Sequence, residues 1–515
     1  MPLGTSATAV KGAFRRSASR KSGLNPYGNG LSATGKLKPY CKVFPSHNGS
    51  ISSERDAKVA KLLMNTIYKV DPPLPIVLFK TLHHFAPEFL PALSHIPDPR
   101  DPRFTVYPIE EMFLVGILLF ILLLGARRNI KYKLGTPKFI ENMLRIAEVF
   151  YPKRRFLFPD DRLLNGDTLN KLLKRIPEEY SHQLRVLLVR ALIRGRCLEK
   201  WRILGCYAIA IDATGMIVYY QRHCPHCLTR KVAGGRTQYY HPVLEAKLVC
   251  PGLGLAFSIA TEFIENPGEM KNEKDKQDCE LKAFRRLLPK LRKDFPQLAT
   301  CLLMDGLYAN EGVFRLCEQH KTAYLTTFKE GSMPAIWKEY QSLKGLAPQQ
   351  LLRDSNEERT LEFSWVNEIA YNGRTLNVLE MTETKGGKQT YYCAWLCSWF
   401  ITKDNVKALG SGGRGRWLIE NEGFNSQKTG GYEMEHAFST DNVAMKHFYF
   451  LLQIAHITNQ LMEKGSLLRE KIRTSMGSLR VFTERLWALM TETLIEPECL
   501  RAFLAQRIQI RLDTS

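Results

Sequence analysis

The sequence predicts an α/β fold, a mixed sheet flanked by helices that follows an all-α region. Three observations carry this. Before about residue 204 apolar residues recur at helical spacing, from Tyr207 short apolar runs of strand length take over, and from residue 278 such runs alternate with helical stretches. The resulting order is β-β-β-α-β-α-β. Three meandering strands followed by alternation make a partly parallel sheet with helices on its faces.

Taken in order, residues 1–53 read as a disordered basic arm: the first 50 hold eight Lys or Arg, no Asp or Glu, and many Ser and Gly. An organellar transit peptide has a similar composition. Residues 54–204 form an N-terminal helical domain with starts at Thr136-Pro137 and Asn165-Gly166-Asp167, and Leu169, Leu172, Leu173 and Ile176 on one helix face. It serves as a packing platform for the next domain or reads DNA directly. Within it, Met112 to Ala126 is an almost unbroken apolar run followed by Arg127 and Arg128. As a helix it spans only about 22 Å against a hydrocarbon layer of roughly 30 Å, so it is expected to be a buried core helix and not a membrane span.

Strands are expected at Tyr207–Asp212, Pro242–Val249, Leu255–Ile264, Thr300–Met304 and Ala323–Phe328, and helices at Asp278–Leu291 and Asn310–His320. The stretch Thr360–Thr402 is rich in Thr, Tyr, Trp and Val, which suggests a β-rich insertion within about 330–412, ended by the Gly-rich break Gly410–Gly415. A long helix Asp441–Met462 follows, with Val443, Phe448, Leu451, Leu452 and Leu461 on one side. The catalytic domain thus runs over 205–463, and 464–515 is a basic helical tail.

A net charge of +22 and a pI near 9.4 predict attraction to a polyanion, most simply nucleic acid. Twelve cysteines spread over 515 residues, with no signal peptide, point to a reducing compartment. No phosphate-cradling Gly-rich loop and no Gly-x-Ser-x-Gly elbow is present, which argues against nucleotide-driven or serine-hydrolase chemistry.

Phosphodiester cleavage without a covalent enzyme intermediate commonly uses two divalent cations held by a few carboxylates. Asp212 follows the apolar Ala208–Ile211, and Asp305 follows Cys301–Met304; each alone reads equally as a strand-end turn residue, but on the first and fourth strands together they favour a metal site. The third acid is expected on a later helix, and the segment Arg414–Lys428 supplies it.

There the chain resembles the insertion-sequence DDE transposases. Their RNase H-like domain carries Asp on its first strand, Asp after its fourth and Glu on a later helix. One large group interrupts it with a β-rich insertion and marks the Glu helix with a Tyr-Arg-Glu-Lys signature. Arg416-Trp417-Leu418-Ile419-Glu420 matches the Arg-Trp-x-Ile-Glu core of that signature. Gly413 stands where the Tyr is expected, and the Lys falls one residue late, at Lys428, with Gln427 in its usual place. Glu420 keeps the Arg and Ile spacing; Glu422 is the alternative. The resemblance extends to Gly125–Arg128 and Gly166–Leu169, and so covers roughly residues 55–463.

The resemblance implies a transposase of the prokaryotic cytoplasm, associated with the nucleoid. It would bind the inverted-repeat ends of its element, cleave their 3′ ends with water and join the freed 3′-hydroxyls to target DNA, as a homodimer in the synaptic complex. Asp212, Asp305 and Glu420 would hold two Mg²⁺ or Mn²⁺, and Arg416 and Lys428 would contact phosphates. Trp417 would lie near a DNA base or pack in the core. As a plain helix face, Arg416 and Lys428 would instead pair with Glu. Two other readings are a catalytically inactive, transposase-derived DNA-binding protein and a stand-alone RNase H-like nuclease.

A separate cluster, His223-Cys224-Pro225-His226-Cys227 with His241, has the softness and spacing of a structural zinc site: Cys224, Cys227, His241 and either His223 or His226 complete four ligands. Reduced hairpin cysteines are the plainer alternative. Cys393 and Cys397 read as packing residues.

Overall fold

The computed structural model describes residues 73–512 except 154, 155, 157, 159, 160, 269–276 and 348. The basic arm and the start of the helical region expected from residue 54 lie outside the described residues. The architecture is mixed α/β. Its first helices are α1 (Leu74–Phe85), α2 (Ile109–Ile121), α3 (Pro137–Phe150), α4 (Gly166–Leu173) and α5 (Glu179–Arg194). Two start where side-chain caps are available: Thr136 Oγ1 accepts from the Phe139 N–H at 3.2 Å, and Asn165 Oδ1 from the Thr168 N–H at 2.8 Å. The apolar run lies mostly in α2, which begins behind Pro108, stops at Ile121 and is buried at every residue. Among the described residues no helix is long and apolar enough to cross a membrane.

From residue 207 the chain builds one ten-stranded sheet: β1 (Tyr207–Tyr219), β2 (Leu228–Lys231), β3 (Thr237–Cys250), β4 (Leu255–Phe263), β5 (Thr300–Met304), β6 (Ala323–Phe328), β7 (Leu351–Ser355), β8 (Thr360–Tyr371), β9 (Arg374–Lys385) and β10 (Lys388–Cys397). The order is β2-β3-β1-β5-β6-β10-β9-β8-β7, with β4 also paired to β3. β1, β5 and β6 are parallel neighbours joined through α6 (Glu280–Asp294) and α7 (Glu311–Gln319). The expected alternation is present, with β2 added inside the first hairpin.

Two expectations about the later segment are corrected. The β-rich stretch joins the central sheet, because β10 pairs antiparallel with β6, and a helix, α8 (Pro334–Leu346), precedes it. The Gly-rich stretch is not a break: Gly410, Gly412 and Gly413 lie in the helix α9 (Val406–Arg414). There the absence of side chains has a packing cause. A Cβ on Gly410 would meet Phe363 at 2.7 Å, one on Gly413 would meet Trp395 at 2.6 Å, and one on Gly412 would overlap Ile203. Close helix–sheet approach outweighs the poor helix propensity of glycine.

The long helix, α10 (Asn442–Lys464), is capped by Asp441 and is buried on all sides from Ala444 to Met462, not along one stripe. It touches α2, α5 and β4, so its polar residues need internal partners, and Asn459 and Gln460 have them. Asn459 donates to the Ile121 carbonyl and the Tyr432 hydroxyl, and Gln460 bonds the backbone of Ala256. The tail forms α11 (Leu479–Glu492) and α12 (Pro497–Ala505), which return to α1 and α3. The buried Lys80 ammonium donates to the carbonyls of Leu504 and Gln506 at 3.0 and 2.6 Å, and Asn142 to those of Met490 and Thr493.

Candidate active site

β1 does not stop at Asp212, as its sequence suggests, but continues to Tyr219. What changes near Asp212 is its partner. Only Tyr207–Ala210 pair with β5; beyond them β1 pairs with β3 alone, in an arm that β4 and then β2 continue on the other edge of β3. Ala210 stands opposite Leu303, so two further steps along that register set Asp212 beside Asp305, where the parallel strands part. Both carboxylates are half-buried at this fork. Asp305 accepts the Leu307 N–H at 2.9 Å and Asp212 the Ala213 N–H at 3.0 Å, which fixes their side chains against the backbone.

The third acid sits on an irregular helical run: a 3₁₀ turn Gly415–Trp417, a π-helical stretch Ile419–Asn425 and a short α turn Ser426–Thr429. Glu420 comes near Asp212, and its charge acts on that carboxyl. Arg416 links them, donating to Glu420 Oε1 at 2.8 Å and lying 3.9 Å from Asp212 Oδ2. Glu422 is turned elsewhere, toward Lys464 and the β3–β4 turn at Gly254.

A fourth carboxylate belongs to the same field. Burial pushes Asp212 up to about 7; Arg416 opposes this, and the charges of Glu420 and Glu280 add to it. Glu280 is itself raised by burial and by Asp305, while the Tyr308 hydroxyl, which donates to it at 2.7 Å, holds it down. Nothing in the sequence singles out Glu280. At the first position of a helix an acid is ordinary macrodipole chemistry, and only the fold turns it toward the aspartates.

The altered signature positions have local causes. A Tyr at Gly413 has no room, because the Trp395 ring occupies that space. Turns closed by i→i+5 bonds hold more residues than the 3.6 of an α-helix, so the π stretch lets eight residues cover the two turns that seven would. Lys428 follows that stretch and pairs with Glu435 at 2.8 Å. Gln427 turns inward and is fully buried, bonding Gln453 and His456 beside the buried Lys247. Trp417 is not a core residue: it is 50% exposed, with the Arg416 guanidinium 4.8 Å from its ring centre. Arg416 itself is buried and paired, and so takes the Glu partner of a plain helix face without that face's solvation.

Near the far end of the β1–β3 arm, His223, Cys224, Cys227 and His241 come together. Among the described residues they are the only group of three or more His, Cys, Asp or Glu whose ligand atoms all lie within 4.8 Å of one another. The cluster can hold a metal ion such as zinc. Of the two candidate histidines, the fold selects His223; His226 bonds the Asn266 carbonyl instead. The acids at the fork are spaced more widely. Compared with models of known protein families and with curated proteins, the chain matches none.

Proposed function

We propose that the chain is a DNA transposase with an RNase H-like catalytic domain, hydrolysing the 3′ ends of its element and joining them to target DNA. The observation that carries this reading is the fork of β1 and β5, which sets Asp212 beside Asp305 with Glu420 across Arg416. Of four half-buried acids, Asp212 and Glu420 share the Arg416 guanidinium, while Asp305 and Glu280 add their charges to the same field. Such an excess of carboxylate in a site that penalises its ionisation fits divalent cations. Asp212, Asp305 and Glu420 would hold two Mg²⁺ or Mn²⁺, which supply Lewis-acid activation of the scissile phosphate.

The chain's own residues account for the rest. The strand fork holds two carboxylates rigidly at a solvent-accessible edge. Arg416 neutralises them before DNA arrives and is placed to turn to a phosphate afterwards. Trp417 offers an exposed ring for stacking on a base, and Lys428 a cation on the same helical run. The high net positive charge supports binding of double-stranded DNA, both element ends and target. Two copies of the chain at paired ends, in a prokaryotic cytoplasm, follow from the same reading.

A second reading, an inactive DNA-binding descendant, draws support from Gly413 and Gln427 at the signature positions. One experiment separates them. A labelled duplex bearing the ends that flank the gene is incubated with Mg²⁺ or Mn²⁺ and either wild type or Asp212→Asn. Metal-dependent 3′-end nicking that the variant lacks supports the transposase; sequence-specific binding without nicking under either metal rejects it in favour of the inactive descendant. Nicking of any duplex, without preference for those ends, would indicate a stand-alone nuclease.

A further inference from the structure

We propose that His223, Cys224, Cys227 and His241 bind one zinc ion in a closed structural site that locks the far end of the β1–β3 arm. The four donors are two sulfurs and two imidazole nitrogens. Cys224 Sγ lies 3.3 Å from Cys227 Sγ, His241 Nε2 lies 3.3 Å from each sulfur, and His223 Nδ1 is 3.4 Å from Cys227 Sγ. A tetrahedral zinc with Zn–S of ~2.3 Å and Zn–N of ~2.0 Å requires donor–donor separations of roughly 3.3 to 3.8 Å. The sulfur–nitrogen spacings fall near the ~3.5 Å that these bond lengths require, and the two sulfurs, 3.3 Å apart, would separate to ~3.8 Å on a bound ion. The sulfurs are also too far apart for a disulfide, in which they stand ~2.05 Å apart.

The surroundings are built to hold the knuckle in place. Asn266 donates to the Cys227 carbonyl at 3.0 Å and, through its backbone N–H, to the His226 carbonyl at 3.1 Å. The Tyr219 ring lies 4.0 Å from that of His223. Cys227 and His241 are buried. Four protein ligands leave no open position, which marks a structural and not a catalytic ion.

The site's position gives its purpose. Past Ala210 the arm has lost β5, and outside Val243 it has lost β4 as well, leaving β1 and β3 with only the four-residue β2 beside them. The knuckle bridges β1 to β2, and His241 ties it to β3, so one ion ties the three strands together at the end of the arm. Beyond it the hairpin carries Arg230 over Tyr240 and Arg236 over Tyr220, an exposed cationic and aromatic face that keeps its aim only if the arm is rigid.

The test uses the full chain, purified under reducing conditions without a metal-affinity step. Elemental analysis should give one zinc per chain, unchanged in His226→Ala and Asp212→Asn and lost in Cys224→Ser with Cys227→Ser and in His223→Ala. Cobalt loaded in place of zinc should show thiolate charge-transfer absorption and the intense visible bands of a tetrahedral site. Stripping the zinc should speed amide hydrogen exchange over 214–242 about tenfold or more while leaving β5 and α10 unchanged. Wild-type protein that takes up neither metal, or in which His226→Ala loses zinc as His223→Ala does, overturns the site. Unchanged exchange after stripping overturns the locking role. Because Asp212→Asn abolishes only the acid site, zinc content and nicking fail independently.

Discussion

The two ligand clusters of this molecule are assembled in opposite ways. Asp212, Asp305 and Glu420 come from three distant elements, are brought together by a sheet in which β1 and β5 are parallel neighbours, and remain spread, with a guanidinium between Asp212 and Glu420. The His/Cys cluster comes from one hairpin and is drawn tight without help from the sheet's core. A site that must admit DNA has to stay open and carry unrelieved repulsion, whereas a site that only staples a hairpin is free to close. The difference matches the two metal chemistries proposed above: hard ions for the open carboxylate fork, a soft-ligand ion for the closed knuckle.

The largest effect is expected for chemistry: Asp212→Asn, Asp305→Asn or Glu420→Gln should each lower end cleavage about a thousandfold or more while leaving the protein folded and most DNA binding intact. A mutant that cleaves at near wild-type rate removes its residue from the site. Next comes pH. Burial holds the Asp212 acid at about 7, above its ordinary 3.8, so the folded protein binds the proton more tightly than the unfolded chain does. Stability of the metal-free protein should then be full below pH 4 and fall as pH rises to about 7, by on the order of 2 kcal/mol; Asp212→Asn or added Mg²⁺ should flatten the slope. Urea melts from pH 4 to 8 read this directly, and a slope unchanged by Asp212→Asn would contradict it.

Arg416→Ala removes the cation between Asp212 and Glu420. In metal-free protein it should cost about 1–2 kcal/mol, because both partners are only half-buried, and Mg²⁺ should restore most of the loss. A loss that Mg²⁺ does not relieve would make Arg416 a packing residue. Smallest of all, Trp417→Ala should change stability by less than about 0.5 kcal/mol, since half the ring is in solvent, while weakening DNA binding. A destabilisation of 2 kcal/mol or more in thermal melts would return the ring to the core.

Much of the frame is legible in the sequence for a physical reason. Thr300–Met304 and Ala323–Phe328 appear with the expected ends because each is a short apolar run closed by a polar or charged residue. The fork itself is not legible: Ala213-Thr214-Gly215 looks like a turn, and only pairing with β3 keeps it extended. Gly410–Gly413 reads as a break because the demand for glycine comes from Phe363, Ile203 and Trp395, distant residues that a local pattern cannot contain. Glu280 escapes notice for the same reason. The His/Cys cluster, made within one hairpin, is visible in advance down to the choice between His223 and His226.

The buried lysine near the start of the described chain bears on synthesis. Lys80 is satisfied by the carbonyls of Leu504 and Gln506, and His84 meets Ile510. Some 420 residues of polypeptide must follow Lys80 out of the ribosome before that ammonium finds its partners, so α1 waits unfinished until the segment around Leu504 and Gln506 has emerged. Premature termination would leave a charged hole in the first helices, and quality control would meet it as an exposed, unfinished surface.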